Sequence, residues 1–179
     1  MSDILSWIRL EGPFVIGHRG FPGAAPENTP PSFEAALEAG SDGVELDVRL
    51  TADGVAVVHH DPDLLLPGGS ATVEETAWGD LRSLVAEGKG GRYRVPRLED
   101  VLRQLSGRCL INVEVKPVAA SRREAAVAGT LTEVHRVRPR ESILVSSFDP
   151  DLLGEFHRAD RSVALGFVFD SLKRFNHLE

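Results

Sequence analysis

The chain has 179 residues, 42% of them hydrophobic and 26% charged, an ordinary balance for one soluble globular domain with a sizeable core. A net charge of −7 argues against nucleic acid as a partner, and no apolar stretch is long enough to span a membrane. The single Cys109 excludes an internal disulfide, and its place at the start of an apolar strand points to burial rather than catalysis.

Met1 to Gly12 lacks a basic start followed by an apolar core, so no secretory signal is read and the cytoplasm is the expected location. Val15 to His18 reads as a short strand ending in a histidine. Thr29-Pro30 reads as an N-cap with proline at the first helical position, opening a helix over Ser32 to Ala39 that buries Phe33, Ala36 and Leu37 and stops at Gly40. Val44 to Leu50 is the next strand. Side chains alternate along a strand, so Glu45 and Asp47 leave one face while Val44, Leu46 and Val48 demand burial on the other, as in a sheet covered by helices. Two enclosed carboxylates repel each other unless a cation shares the site, and hard oxygen ligands select Mg2+ or Ca2+.

Thr51-Ala52-Asp53-Gly54 is a turn signal too short for a parallel crossover, so the strand beginning at Val55 pairs back as an antiparallel hairpin. It ends at His59-His60-Asp61-Pro62, and strand ends are where α/β folds build their sites. His18 with one of this pair could act as general base and general acid near pH 7. Periodicity does not choose between His59 and His60. A tight turn sets Val48 near Val57 and Glu45 near His60, which favours His60; a bulge shifts the register by one and favours His59.

Residues 62–94 are the least regular stretch, a loop-rich insertion with a helix expected over Trp78 to Val85 and with Trp78, Arg92, Tyr93 and Arg94 as its candidate substrate contacts. A helix over Arg97 to Leu105 buries Leu98, Val101, Leu102 and Leu105. Leu110 to Lys116 is a strand with Asn112, Glu114 and Lys116 on one side. Glu114 is a third candidate ligand, although this strand taken alone reads better as a Glu114–Lys116 ion pair on an exposed face. Ser121 to Glu124 has the pattern of a capping box opening a helix to about Arg136. Strands over Ile143 to Ser147 and Val163 to Val168 flank a helix over Pro150 to Arg158, and Ser171 to Glu179 offers no strand.

His18-Arg19-Gly20, Pro26-Glu27-Asn28-Thr29, Glu45-x-Asp47, Thr51-x-Asp53-Gly54, His60-Asp61 and Glu114-x-Lys116 follow one another in the order of the glycerophosphodiester phosphodiesterases, which the chain resembles. The resemblance implies a TIM-type α/β barrel and a metal-dependent hydrolase releasing glycerol 3-phosphate and an alcohol. It implies Glu45, Asp47 and Glu114 as metal ligands, His18 and His60 as the catalytic pair, and Arg19 as the phosphate contact. Lys116 is a second candidate phosphate contact, and Glu27 and Asn28 are candidate supporting residues. A complete barrel needs more strands than are read here, so the domain, taken as 1–179, is expected to be truncated before the closing strands, with a partner chain or further segment covering the open edge. Two other readings stand beside this one. One is a truncated module, weakly active or inactive, that binds metal and phosphate. The other is a phospholipid phosphodiesterase acting through a cyclic phosphate, for which Leu64-Leu65-Leu66 would supply an apolar rim.

Overall fold

Strands that are apolar on one face need a second layer, and a chain that returns each strand in parallel supplies it with the crossover helices. In the computed structural model, which describes residues 13–139 and 142–169, the elements run β1 (Ile16–His18), α1 (Pro30–Glu38), β2 (Gly43–Leu50), β3 (Ala56–Val58), β4 (Asp63–Leu66), β5 (Gly69–Thr72), α2 (Trp78–Leu81), β6 (Ala86–Gly88), β7 (Gly91–Tyr93), α3 (Leu98–Leu105), β8 (Leu110–Val115), α4 (Arg123–Val134), β9 (Ile143–Ser147), α5 (Pro150–Ala159) and β10 (Ala164–Phe167). The expectations for Met1 to Gly12 and for Ser171 to Glu179 lie outside the described residues. Strands β1, β2, β8, β9 and β10 pair in that order, all in parallel. Among the described residues no helix is long and apolar enough to cross a membrane.

The helices form where their ends and apolar spacing direct. Thr29 holds the N-cap position of α1 without a side-chain bond to the helix, its hydroxyl donating to the Pro26 carbonyl, and proline fills the first turn. The carboxylate of Asp149 accepts from the N–H groups of Asp151 and Leu152 at the start of α5. In α3 the expected stripe, Leu98, Val101, Leu102 and Leu105, is buried. It packs with Val44, Leu46, Val48, Ile111, Val113 and Val115 of the central strands and with Phe33 and Phe156 in one continuous core. The capping box does not form. Ser121 lies within a 3-10 turn, Ala120–Arg122, so Arg122 takes the cap position without a side-chain bond and donates instead to the carbonyls of Thr51 and Glu74.

The β2–β3 hairpin is antiparallel as expected, but its register differs by one residue. Val48 faces Val58, Arg49 faces Val57 and Leu50 faces Ala56. The loop from Thr51 to Val55 is longer than a tight turn: the Thr51 N–H donates to the Val55 carbonyl, and Gly54 closes the inner turn at φ +81.

The stretch 62–94 is more regular than its sequence suggests. Two hairpins, β4–β5 and β6–β7, with the single-turn α2 in place of the longer expected helix, surround a second core of Val57, Leu64, Val73, Leu81, Ala86 and Val95. Gly90, at φ +93, forms the tip of β6–β7, where an added Cβ would stand 3.0 Å from the Pro26 nitrogen, so the insertion rests directly on the loop after β1.

Candidate active site

Strand β2 organises the site because three strands meet it where its carboxylates lie. On one edge, β8 runs in parallel with Glu45 beside Asn112 and Asp47 beside Glu114, and neighbours in register share a face. On the other edge β1 ends at His18, beside Glu45. Strand β3 returns along that same edge from the opposite end, and the His59 N–H donates to the Asp47 carbonyl at 3.0 Å. Both histidine-bearing strand ends therefore converge on the Glu45–Asp47 segment.

Glu45, Asp47 and Glu114 are buried, and each offers a carboxylate oxygen within 4.8 Å of the others, an arrangement that could hold a metal ion. Lys116 holds a cationic place among them: its Nζ lies 2.6 Å from Asp47 Oδ1 and pairs with Glu114. The Glu114–Lys116 ion pair is thus present but buried, not on an exposed face. Glu45 Oε1 is buried with no hydrogen-bond partner, and burial, then the Asp47 charge, pushes the Glu45 pKa up to about 8. An orphaned hard oxygen in an anionic, desolvated cluster fits a divalent cation.

Arg19 and Asn28 close the site from the loop after β1, and both adopt left-handed backbone, at φ +57 and +58. The conformation turns the Arg19 N–H onto Glu45 Oε2 at 3.0 Å, while its guanidinium reaches Glu27 at 2.8 Å and Asp47 at 3.2 Å. Burial opposes the Arg19 charge, yet the Glu27 hydrogen bond and the Asp47 carboxylate hold its pKa above the ordinary value. Asn28 donates to Asp47 Oδ2 at 2.7 Å and accepts from the Asp47 N–H at 3.1 Å. Gly20, at φ +85, is packed so closely on Ser32 that an added Cβ would lie 2.5 Å from its hydroxyl. Asn28 thus joins the site while its neighbour Thr29 takes the N-cap position of α1.

The histidines are placed differently. His18 is exposed, with Nε2 3.7 Å from Glu45 Oε2. His60 is half-buried, its Nδ1 2.7 Å from Asp61 Oδ1 and its carbonyl held by Arg49 Nε at 2.8 Å. The observed register removes the expected opposition of Glu45 and His60 and sets His59 beside Asp47 instead. His59 is buried, burial lowers its pKa, and its Nε2 lies 3.3 Å from the Asp63 carbonyl. Arg49 was not anticipated, although the alternation that singles out Glu45 and Asp47 continues to it; it also pairs with Glu74, tying His60 to the insertion. Of the candidate insertion contacts, Tyr93 stands 6.3 Å from the His59 ring, Arg92 pairs with Glu87, and Trp78 packs under Arg97 beside the β2–β3 turn. Leu64 is core and Leu65 is 62% exposed, so Leu64 to Leu66 do not form a continuous apolar rim.

A sequence profile of the glycerophosphoryl diester phosphodiesterase family matches residues 18–175. The chain belongs to this family. It is 36% identical over 152 residues to a glycerophosphodiester phosphodiesterase of Bacillus altitudinis, covering 80% of this chain and 61% of that one. Identity to the uncharacterized protein YqiK of Bacillus subtilis is 38% over 145 residues, covering 78% of this chain and 59% of that one. The chain thus spans about three-fifths of the length of these curated relatives. Among solved structures, an Oleispira antarctica phosphodiesterase in complex with the product sn-glycerol-3-phosphate aligns with a TM-score of 0.80 at 28% identity, over 93% of this chain and 72% of that one. A glycerophosphodiester phosphodiesterase from Thermotoga maritima aligns with a TM-score of 0.71 at 34% identity, over 91% and 65%. The parallel β/α wall of this family member is the TIM-type architecture expected from the motifs.

Proposed function

We propose that this chain hydrolyses a glycerophosphodiester to glycerol 3-phosphate and an alcohol, as one catalytic domain into which residues 62–94 are inserted. The observation that carries the reading is the buried Glu45, Asp47 and Glu114 cluster with Arg19 and His18 against it. A divalent cation, Mg2+ or Ca2+, held by these three carboxylates would supply positive charge to the phosphoryl oxygens. Arg19, its plane fixed by Glu27 and Asp47, adds a guanidinium directed at the phosphate. Lys116 is the second cation for the phosphate once the carboxylates it pairs with are otherwise neutralised. Of His18 and His60, one takes the proton of the attacking water and the other protonates the departing alkoxide, a poor leaving group unaided. For His60 the support is its place before Asp61 in the family motif and its anchoring by Arg49. Glu27 and Asn28 act as supports, orienting Arg19 and Asp47.

The test is glycerol 3-phosphate release from glycerophosphocholine and glycerophosphoethanolamine with Mg2+, with Ca2+ and with chelator. Metal-dependent release that disappears in His60→Ala is the expected result. A folded chain that binds metal yet releases no product would favour the second reading, a metal- and phosphate-binding module.

A further inference from the structure

Two grooves, of about 500 and 270 Å3, lie between the outer helices, against α4 with α5 and against α3 with α4, away from the carboxylate triad. A smaller cavity of about 190 Å3 sits between the site and the insertion. Its size suits a small headgroup, below the ~300 Å3 at which drug-sized pockets begin.

This cavity joins the proposed machinery at two points. Glu27, which holds Arg19, and Asp61, which holds His60, both line it. Beyond them the insertion contributes Asp63, Glu87 and the ring of Tyr93, which forms a tilted aromatic pair with the buried His59. Among the described residues of the wall Lys89 is the one lysine or arginine, against four carboxylates. Of these, Glu27 is paired with Arg19 and Glu87 with Arg92 from outside the wall, while Asp61 contacts His60 and the Asp63 carboxylate accepts from the Thr72 hydroxyl. The wall is built, because an added Cβ at Gly88 would lie 2.9 Å from Tyr93 Cε1, so glycine there gives the ring its place. Burial first, then the Glu27 and Asp61 charges, raises the Tyr93 pKa, as an anionic interior requires. An aromatic face beside excess carboxylate is the chemistry that attracts an ammonium, by cation–π and Coulomb attraction together.

We propose that this cavity receives the alcohol half of the diester and selects an ammonium-bearing alcohol, of the ethanolamine or choline kind, over a neutral polyol. The proposal rests on the phosphodiesterase reading above. Bond cleavage is unchanged by it; the cavity acts on which diester is presented.

The experiment compares kcat/KM for glycerophosphocholine and glycerophosphoethanolamine with that for glycerophosphoglycerol and glycerophosphoinositol, in the metal-loaded chain at low salt. The cationic diesters should be preferred about tenfold, with the preference shrinking as salt screens the carboxylates. The double variant Asp63→Asn, Glu87→Gln should cut that ratio roughly fivefold, and Tyr93→Leu should lower it further. Asp63→Asn preserves an acceptor for the Thr72 hydroxyl, and Glu87 lies on an exposed hairpin, so the double variant leaves the fold intact. A wild-type ratio near one, or a ratio the variants do not move, overturns the cavity assignment alone. No release from any of the four diesters overturns the phosphodiesterase reading and this one with it.

Discussion

The parallel sheet and the 62–94 insertion solve the same burial problem by different means. In the sheet, alternation along β2 and β8 sends Val44, Leu46, Ile111 and Val113 to the helices and Glu45, Asp47 and Glu114 to the opposite face, so one register fixes both core and ligands. The insertion has short hairpins, a small core in which Leu64, Val73, Leu81 and Ala86 pack with the flanking Val57 and Val95, and side chains whose positions depend on where it rests, against Pro26 through Gly90 and against Arg49 through Glu74. In the function proposed above, the sheet sets the chemistry and the insertion sets the choice of substrate.

Four experiments break or sharpen that comparison. The largest effect is expected from Asp47→Ala, which removes the partner of Arg19, Asn28 and Lys116: activity should fall on the order of a thousandfold and metal titration should lose its signal. His18→Ala and His60→Ala should abolish turnover while calorimetry shows metal affinity largely intact; equal metal loss in all these variants would contradict the separation of roles.

Core truncation comes next. Leu46→Ala should cost about 2–5 kcal/mol in denaturant unfolding of the whole chain. Leu64→Ala should instead raise hydrogen exchange chiefly across β4 to β7, and a uniform rise over the sheet would show that the two cores are one cooperative unit.

A smaller effect concerns pH. The folded Glu45 pKa, about 8, lies above its ordinary value, so between about 4.5 and 8 the unfolded chain ionises this carboxyl while the folded chain keeps it protonated. With chelator present, stability should therefore fall as pH rises through that window, by a few kcal/mol at most at about 1.4 kcal/mol per unit. Added Mg2+ or Glu45→Gln should flatten the slope. A slope of the opposite sign in the metal-free chain would remove the argument that the cluster wants a cation.

The smallest effect lies far from the site. Bonds from Ser162 and then from His135 hold the Asp160 pKa down at about 2, so its contribution is present above its ordinary value near 3.8 and is lost as pH falls through about 2. Solvent screening keeps this to about 0.5 kcal/mol. Asp160→Asn should change acid unfolding by no more than that and leave activity unaltered.

What could be read beforehand divides along the same line. Glu45 and Asp47 are legible because a two-residue period needs no knowledge of the rest of the chain, whereas Glu114 is named by the family motif, its own strand reading better as an exposed ion pair with Lys116 that the structure instead buries. The choice between His59 and His60 is not, because it turns on the hairpin loop, and the five-residue path from Thr51 to Val55 moved the register by one. Ser121 shows the same weakness at a helix start: the capping pattern is there, but a preceding 3-10 turn displaces it. The insertion core was illegible for a different reason. Leu64, Val73, Leu81 and Ala86 follow no common period and are brought together only by the docking of two hairpins. Arg19 and Asn28 are named by their motifs, yet their left-handed backbone, which aims one N–H and one amide at the carboxylates, has no glycine to announce it.

The pairing of β2 with β8 has a consequence for how the molecule reaches its native state. A slip of one residue would set Val113 or Val115 beside Asp47 and turn Glu114 away to the opposite face. The one-residue slip scatters the carboxylates that the native alignment gathers, so an ion that prefers the gathered set prefers the native alignment over that slip. The cation would then serve the chain as a proofreader, rewarding the correctly assembled molecule before any substrate arrives.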